Sequence, residues 1–167
     1  RRENGDALPS LHGVPIAIKD VTATTGLRTT SGSSIYKQHV PERDELSVSR
    51  LRAAGAVIVG KTNTPEFAFG AVCTNKLRGP TANPWNLALT SGGSSGGSAV
   101  AVTAGMVPLA QGTDFGGSVR TPASFCGCIG FRPTPGSIPE PRRPLGFDTL
   151  ATQGVLARTV ADASLMI

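Results

Sequence analysis

The chain has 167 residues, of which 39% are hydrophobic and only 16% charged, a composition that supports a folded core and excludes a disordered chain. Its net charge of +5 comes from basic residues scattered along the sequence, and aromatic residues make up only 5%. We therefore expect no direct nucleic-acid contact, and no membrane segment either, because no apolar run approaches the length of a transmembrane helix and nothing resembles a signal peptide.

The first third of the chain predicts a strand, a helix and a second strand. Residues 14–18 form a short apolar strand that ends at Lys19, and Pro15 within it suggests an edge position or a missing ladder bond. Asp44 is expected to cap a helix that Gly55 closes. The apolar residues 56–59 are then predicted to form a buried strand.

The remainder alternates in the same way. The elements expected there are a helix opened by Thr64 and Pro65, a small-residue helix at 96–105, a strand at 128–131, a surface loop at 136–153 and a helix capped by Thr159 and Asp162. The pattern predicts an α/β fold, a mixed β-sheet layered with helices, in one domain over residues 1–167. Residues 1–10 are expected to form a loop.

The cysteines do not suggest a metal site. Three are present, an odd number without a secretion signal, which favours a reducing, cytoplasmic compartment. Cys126 and Cys128 are too close in sequence for the usual zinc spacing, and both histidines lie far upstream. We predict no metal and no cofactor.

Three short motifs compete for a function, and each lacks a requirement. Residues 55–62 match the phosphate-loop pattern, but the interior A-V-I-V is itself strand-like. Ser34 and Lys37 form an S-x-x-K motif without its companion motifs, and G-G-S-S-G at 92–96 matches a nucleophile elbow with no histidine after it.

A fourth pattern accounts for far more of the chain. It consists of G-V-P-I-A-I-K-D at 13–20, G-G-S-S-G-G-S at 92–98 and G-T-D-F-G-G-S-V-R at 112–120. From about Leu11 onward the sequence resembles the amidase signature family. The segments K-T-N-T-P-E-F at 61–67, P-A-S-F-C-G at 122–127, G-F-R-P-T at 130–134 and A-R-T-V-A-D at 157–162 also resemble family segments, in the family's order.

This resemblance implies a catalytic trio made of a lysine, a serine on a cis peptide bond and a serine nucleophile. Position by position, Lys19 takes the lysine role, Ser94 the cis-serine role and Ser118 the nucleophile role. A buried lysine can be neutral and so act as a base, while a bridging serine can carry the proton.

The glycine-rich loop before Ser118 is expected to turn backbone N–H groups toward a developing oxyanion. The candidate oxyanion and substrate-binding residues are Phe115, Gly116 and Gly117, and the candidate supporting residues are Ser95, Asp114 and Arg120. Asp114 and Arg120 are expected to brace the loop rather than to react.

The resemblance thus implies a serine amidase that hydrolyses a small-molecule amide through an acyl-enzyme, with a homodimer as the candidate assembly. Two alternatives remain: a truncated, non-catalytic relative, and the glutaminase subunit of a tRNA-dependent amidotransferase. Because the sequence stops within the helix that begins near Thr159, we expect a fragment of an amidase-signature fold with little activity when isolated.

Overall fold

A computed structural model of the chain describes residues 7–141 and 146–167. Its centre is a five-stranded sheet in the order β2-β1-β5-β7-β6. The strands are β1 (Pro15–Lys19), β2 (Val57–Thr62), β5 (Leu109–Asp114), β6 (Ile129–Phe131) and β7 (Thr152–Ala157), and the short pair β3 (Thr74–Asn75) and β4 (Gly79–Pro80) forms a separate hairpin. β1 runs parallel to β2 and β5, whereas β7 is antiparallel to β5 and β6.

Helices cover both faces of the sheet, so the predicted α/β class with a mixed sheet is confirmed. The helices are α1 (Leu46–Ala53), α2 (Gly96–Thr103), α3 (Arg120–Cys126) and α4 (Val160–Leu165). Apolar side chains of α2 and α3 pack on one face around Ala17, Ala110 and Leu156. Those of α1 and α4 pack on the other face around Ile16, Leu109 and Val155.

The side chains of β1 alternate between the two faces of the sheet, so this strand contributes to both hydrophobic clusters and also positions Lys19. Ile16 and Ile18 belong to the α1 and α4 face, and Ala17 belongs to the α2 and α3 face. Successive side chains of a strand point to opposite faces, so Lys19 follows Ala17 onto the face that carries α2. The catalytic candidate therefore reaches the N-terminal end of that helix.

Several predicted elements agree with the structure. β1, α2 and β6 lie where the sequence predicts them. α1 ends before Gly55, which has a φ of 89°, a left-handed conformation that glycine adopts without strain. The side chain of Thr159 caps α4 by accepting a hydrogen bond from the N–H of Asp162.

The edge position suggested for Pro15 and the burial predicted for the strand at 56–59 need correction. β1 is an inner strand between β2 and β5, so Pro15 marks its first residue and not a sheet edge. β2 occupies the edge, and Val57 and Val59 are 50% and 54% exposed, so this strand is not buried as predicted. Periodicity alone cannot distinguish these cases, because a continuous apolar run has no alternation to reveal a solvent face.

Two helix starts also differ from prediction. Glu45, not Asp44, is the N-cap residue of α1, while Asp44 accepts from the N–H of Thr25 and pairs with Arg52. A short acidic side chain that finds a long-range partner is not available to cap the helix. The helix predicted from Thr64 is only a 3₁₀ turn, Glu66–Ala68, interrupted by a positive φ at Phe67.

The long loop predicted over 136–153 ends earlier, because β7 begins at Thr152. Residues 142–145 of that prediction, like residues 1–6 of the predicted N-terminal loop, lie outside the described residues. Residues 7–10 form neither helix nor strand. β5 and α3 are elements that the pattern did not predict, because β5 carries buried polar residues and α3 begins within the glycine-rich segment.

Candidate active site

Lys19 is completely buried at the carboxyl end of β1. Its ammonium nitrogen Nζ donates to Ser94 Oγ at 2.6 Å and to Thr113 Oγ1 at 2.8 Å. Thr113 lies on β5, the neighbouring parallel strand, so the two side chains meet at the same end of the sheet. Among the described residues, Lys19 is therefore held by hydroxyl groups and by the carbonyl of Thr113 at 3.4 Å, and no ion pair joins it to a carboxylate.

Burial away from water lowers the pKa of Lys19 to about 7, although charge interactions with Cys73 and Asp114 act to raise it. Desolvation penalises the charged form of an amine because the ammonium loses its hydration shell. Near neutral pH a substantial fraction of Lys19 is thus the neutral amine, which has a lone pair able to accept a proton.

Ser94 is fully buried in the loop before α2, and the peptide bond Gly93–Ser94 is cis. This is the conformation that the family resemblance implies for that position. The loop continues into Ser95, the N-cap residue of α2, whose side chain makes no capping bond. The Ser95 hydroxyl instead bonds the backbone of Thr113.

Ser95 joins the loop to β5. Its Oγ donates to the carbonyl of Thr113 at 3.2 Å and accepts from the N–H of Thr113 at 3.3 Å. Its own N–H donates to the carbonyl of Ser118 at 3.0 Å. Ser95 thus connects the strand beside Lys19 with the segment that carries Ser118.

Asp114 organises the loop that precedes Ser118. Its buried carboxylate accepts hydrogen bonds from the N–H groups of Gly117 at 2.8 Å and Val119 at 3.0 Å, and from Arg120. Burial acts to raise the pKa of Asp114, but the bonds from Arg120 and the backbone N–H groups outweigh it and lower the pKa to about 2. The carboxylate is therefore ionised and braces the loop.

Two arginines lie against Asp114. Arg120 contacts it with Nε at 3.1 Å and Nη2 at 3.0 Å, and Arg132 places Nε 3.3 Å from the same carboxylate. The Nε of Arg132 makes no hydrogen bond, so its contact with Asp114 is an ion pair only. The Nη2 of Arg132 donates to the carbonyl of Leu150. Arg132, on the segment after β6, was not predicted as a site residue.

The candidate oxyanion loop is open to solvent at Phe115 and Gly116 and buried at Gly117. The N–H of Gly117 already donates to Asp114, so its predicted role as an oxyanion donor is not available in this conformation. Gly117 has a φ of 118°, and a Cβ there would lie 2.9 Å from Thr121 Oγ1. Gly117 therefore forms the turn that follows the exposed backbone of Phe115 and Gly116.

Ser118 follows this turn and is partly buried. Among the described residues, no hydrogen bond joins its hydroxyl to that of Ser94, although the backbone bond from Ser95 holds the two segments together. Catalytic hydrogen bonds are often long or unformed until substrate binds. The structure thus brings the lysine and cis-serine into direct contact and sets the nucleophile candidate beside them.

Glycines let α2 approach the site closely. A Cβ added to Gly97 would lie 2.3 Å from the backbone nitrogen of Asn63, and one added to Gly96 would lie 2.5 Å from Cys73 Cβ. Neither position therefore has room for a side chain, and the two glycines allow α2 to pack against these neighbours.

Two polar residues that position Lys19 were missed by sequence reasoning. Thr113 binds the ammonium, and the side chain of Gln111 accepts from the N–H of Lys19 at 3.1 Å. Gln111 is almost fully buried and also bonds Thr22 and Gln153. Its position directly after the apolar pair Leu109 and Ala110 is a signal that could have marked it, because a buried amide needs several partners.

Two of the competing motifs, the phosphate-loop match and the S-x-x-K match, do not form sites among the described residues, whereas the serines of the third, at 92–96, belong to the candidate active site. Residues 57–62 of the phosphate-loop match are strand β2, and Lys61 is occupied by oxygen atoms of Thr22, Thr24 and Thr29. Burial lowers the pKa of Lys61 to about 8, against opposing interactions with Asp20 and Asp44. The S-x-x-K serine, Ser34, is exposed in a 3₁₀ turn.

Within residues 7–141 and 146–167, no group of three or more metal-ligating side chains is present. No helix in the described part of the chain is both long and apolar enough to cross a membrane.

Comparison with known proteins assigns the chain to a family. All residues, 1–167, match the family model described as Amidase. This chain belongs to the amidase family. The resemblance inferred from the motifs is therefore confirmed over the whole chain.

Relatives within the amidase family carry different names. The chain is 48% identical over 167 residues to a subunit of the glutamyl-tRNA(Gln) amidotransferase of Roseiflexus castenholzii, covering 100% of the chain and 34% of that protein. It is 47% identical to an acylamidase of Rhodococcus erythropolis, covering 100% of the chain and 35% of the relative. The chain thus spans about a third of the length of these relatives.

A solved structure supports the fold as well. A bacterial aryl acylamidase belonging to the amidase signature enzymes superposes with a TM-score of 0.92 at 35% identity, covering 98% of this chain and 35% of that one. The mixed sheet and its helices are therefore an amidase-signature arrangement.

Proposed function

We propose that the protein is an amidohydrolase that cleaves a carboxylic amide C–N bond through an acyl-enzyme on Ser118. The observation that carries this proposal is the buried Lys19 ammonium 2.6 Å from the hydroxyl of Ser94, beside the loop that ends at Ser118. A lysine without a paired carboxylate, in contact with serine and threonine hydroxyls, fits base catalysis better than a structural ion pair.

In the first step Ser118 Oγ attacks the amide carbonyl carbon. Its proton passes to Ser94 Oγ while the Ser94 proton passes to the neutral amine of Lys19. The carbonyl π electrons move onto oxygen and give a tetrahedral oxyanion. The reverse proton path then protonates the leaving amine, the C–N bond breaks, and an ester on Ser118 remains.

Deacylation repeats this path with water in place of Ser118. Water attacks the ester, its proton travels through Ser94 to Lys19, and the collapse of the second tetrahedral intermediate returns the proton to Ser118 Oγ. The products are a carboxylic acid and an amine, and the atoms and protons of this sequence balance with water as the only co-reactant.

The oxyanion is proposed to be held by the backbone N–H groups of Phe115 and Gly116. Both residues are exposed in the loop before Ser118, and no intramolecular acceptor among the described residues takes their N–H groups. Each such donor contributes on the order of 3 kcal/mol to transition-state stabilisation. Asp114 and Arg120 hold the loop in shape and do not react.

A fluorophosphonate probe tests the nucleophile assignment in the full-length protein. We expect mass spectrometry to find the label on Ser118, and Ser118→Ala to abolish both labelling and amide hydrolysis. Ser34→Ala is the matched control, since Ser34 is an exposed serine of the competing S-x-x-K motif. Labelling at Ser34 or Ser94, or unchanged turnover by Ser118→Ala, would contradict the proposal.

A second candidate is the glutaminase subunit of a tRNA-dependent amidotransferase, and it is supported by the 48% identity to an amidotransferase subunit. The 47% identity to an acylamidase supports the stand-alone hydrolase equally well. Assays of the full-length protein alone separate the two. Turnover of simple amides favours the hydrolase, whereas glutamine hydrolysis that needs added subunits favours the amidotransferase.

A reducing compartment such as the cytoplasm is proposed from the cysteines. All three, Cys73, Cys126 and Cys128, are unpaired thiols. Disulfides are rare where thiols are kept reduced. A homodimer stays a prediction, which light scattering of the full-length protein tests.

A further inference from the structure

A cavity of about 290 Å³ is lined by residues outside the candidate active site. The lining residues are Arg28, Thr30, Lys37, Gln38, Leu77 and Arg78. Three of these six side chains carry a positive charge and none carries a negative charge. The amide chemistry proposed above uses none of them.

The three cations have no ionic partner in the part of the chain that the structure describes. The ion pairs there join Arg52 to Asp44, and Arg120 and Arg132 to Asp114. Arg28, Lys37 and Arg78 are all exposed, so their charged ends are available to a ligand.

A buried carboxylate, that of Asp20, contacts one of the lining residues. Asp20 is 1% exposed, and its two oxygens accept hydrogen bonds from the N–H and the hydroxyl of Thr30. Both oxygens are therefore bonded to Thr30, and none of the ion pairs within the described residues joins Asp20 to the three cations.

Backbone hydrogen bonds hold the lining segments in place. The N–H of Thr29, next to Arg28, donates to the carbonyl of His39, next to Gln38, at 2.9 Å. The N–H of Arg78 donates to Asn75 Oδ1 at 2.9 Å, and Asn75 Nδ2 donates in turn to the carbonyl of Thr64 at 2.7 Å. Hydrogen bonds therefore hold the backbone next to Arg28 and at Arg78, the segments that carry two of the cations.

We propose that this cavity binds a small multivalent oxyanion. Like charges brought together repel, and an anion between them offsets that repulsion. Guanidinium groups present paired N–H donors that match the oxygens of phosphate and carboxylate groups. The cavity volume of about 290 Å³ lies near the lower end of the range for small-molecule sites, about 300 Å³, so the cavity suits a small ligand.

Isothermal titration of the full-length protein with pyrophosphate and with citrate tests this proposal. These probes represent the two sources of the same chemistry, phosphate and carboxylate. We expect at least one to bind at a single site, with affinity that decreases as salt increases. Arg28→Gln, Lys37→Gln and Arg78→Gln should each weaken that binding by about fivefold or more, since each removes one charge that faces the anion.

Arg43→Gln is the matched control, because Arg43 is an exposed arginine that does not line the cavity. It removes the same charge and should change binding by less than about twofold, because salt screens a distant charge. Tighter pyrophosphate binding assigns the site to phosphate ligands, and tighter citrate binding assigns it to carboxylates. Absence of binding by both probes, or equal weakening by Arg43→Gln, overturns the proposal. Unfolding temperatures of all four variants verify that each remains folded.

Discussion

The ammonium nitrogen of Lys19 lies 2.6 Å from Ser94 Oγ, although the two residues are 75 positions apart in the sequence. β1 brings the lysine to this point, and the loop before α2 brings the serine. Both groups are fully buried, so their contact is shielded from water. This shielding gives the amine its low pKa and leads to the first prediction.

Activity should rise with pH through about 7, because burial lowers the pKa of Lys19 to about 7 and only the neutral amine accepts a proton. A pH profile of kcat/KM on the full-length protein measures this. Lys19→Ala should lose on the order of 10²–10⁴ in kcat. Lys19→Arg should not restore activity, since a guanidinium stays protonated.

Lys19→Met separates catalytic from structural effects. The folded-state pKa of Lys19 lies below its unfolded value of 10.5, so burying this group costs stability below pH 10.5, increasingly so toward pH 7. Denaturant unfolding should therefore show Lys19→Met to be at least as stable as the wild type at pH 7.

An active Lys19→Arg enzyme would contradict the activity prediction, because it would show that the side chain supplies only positive charge.

Gln111→Leu should reduce activity about tenfold or more, because the N–H of Lys19 loses the acceptor that positions this strand end. Stability should fall by about 1–3 kcal/mol, the cost of a buried unsatisfied polar group. Gln153→Leu is the control, since it removes the Gln111–Gln153 bond and leaves the bond to Lys19. Equal loss of kcat in the two variants would contradict a specific role for Gln111.

Gly97→Ala should destabilise the protein by about 1–3 kcal/mol, because the added Cβ would lie 2.3 Å from the backbone nitrogen of Asn63. Gly60→Ala, on β2, is the matched substitution, since a Cβ there meets nothing within 4 Å. Gly60→Ala should leave stability unchanged or slightly higher. Urea unfolding of both variants decides the matter, and similar midpoints would refute close packing of α2 on Asn63.

Asp114→Asn should remove an acid-sensitive part of the stability. The folded-state pKa of Asp114 is lowered to about 2, so its stabilisation is present above its unfolded pKa of 3.8 and is lost as pH falls from 3.8 toward 2. The difference in unfolding free energy between wild type and Asp114→Asn should therefore shrink over that pH range. A constant difference for Asp114→Asn would argue against the ionised brace.

Short sequence patterns were sufficient to predict the elements that begin or end at a residue with a strong local preference. β1 is an apolar run that ends at Lys19, Gly55 ends α1 at a positive φ, and the Thr159–Asp162 pair caps α4. The catalytic candidates were also named in advance, but through family motifs and not through spacing, since a lone lysine after a strand is more often a surface residue.

Tertiary structure decided what depends on long-range partners. Asp44 is a good capping residue by type, yet it binds Thr25 and Arg52, so Glu45 caps α1 instead. β2 is apolar yet lies at the sheet edge, because strand order is set by packing of the whole sheet.

The sequence by itself determined which chemical groups are available: a lysine after an apolar strand, serines among glycines, and an acid and an arginine around the nucleophile loop. The protonation state of these groups and their hydrogen-bond partners depend on the fold. Lys19 has its low pKa because α2, β5 and the Ser94 loop exclude water from it, and Thr113 and Gln111 hold it because β5 lies beside β1. Desolvation and hydrogen-bond geometry are properties of the packed chain, and no local pattern of residues encodes them.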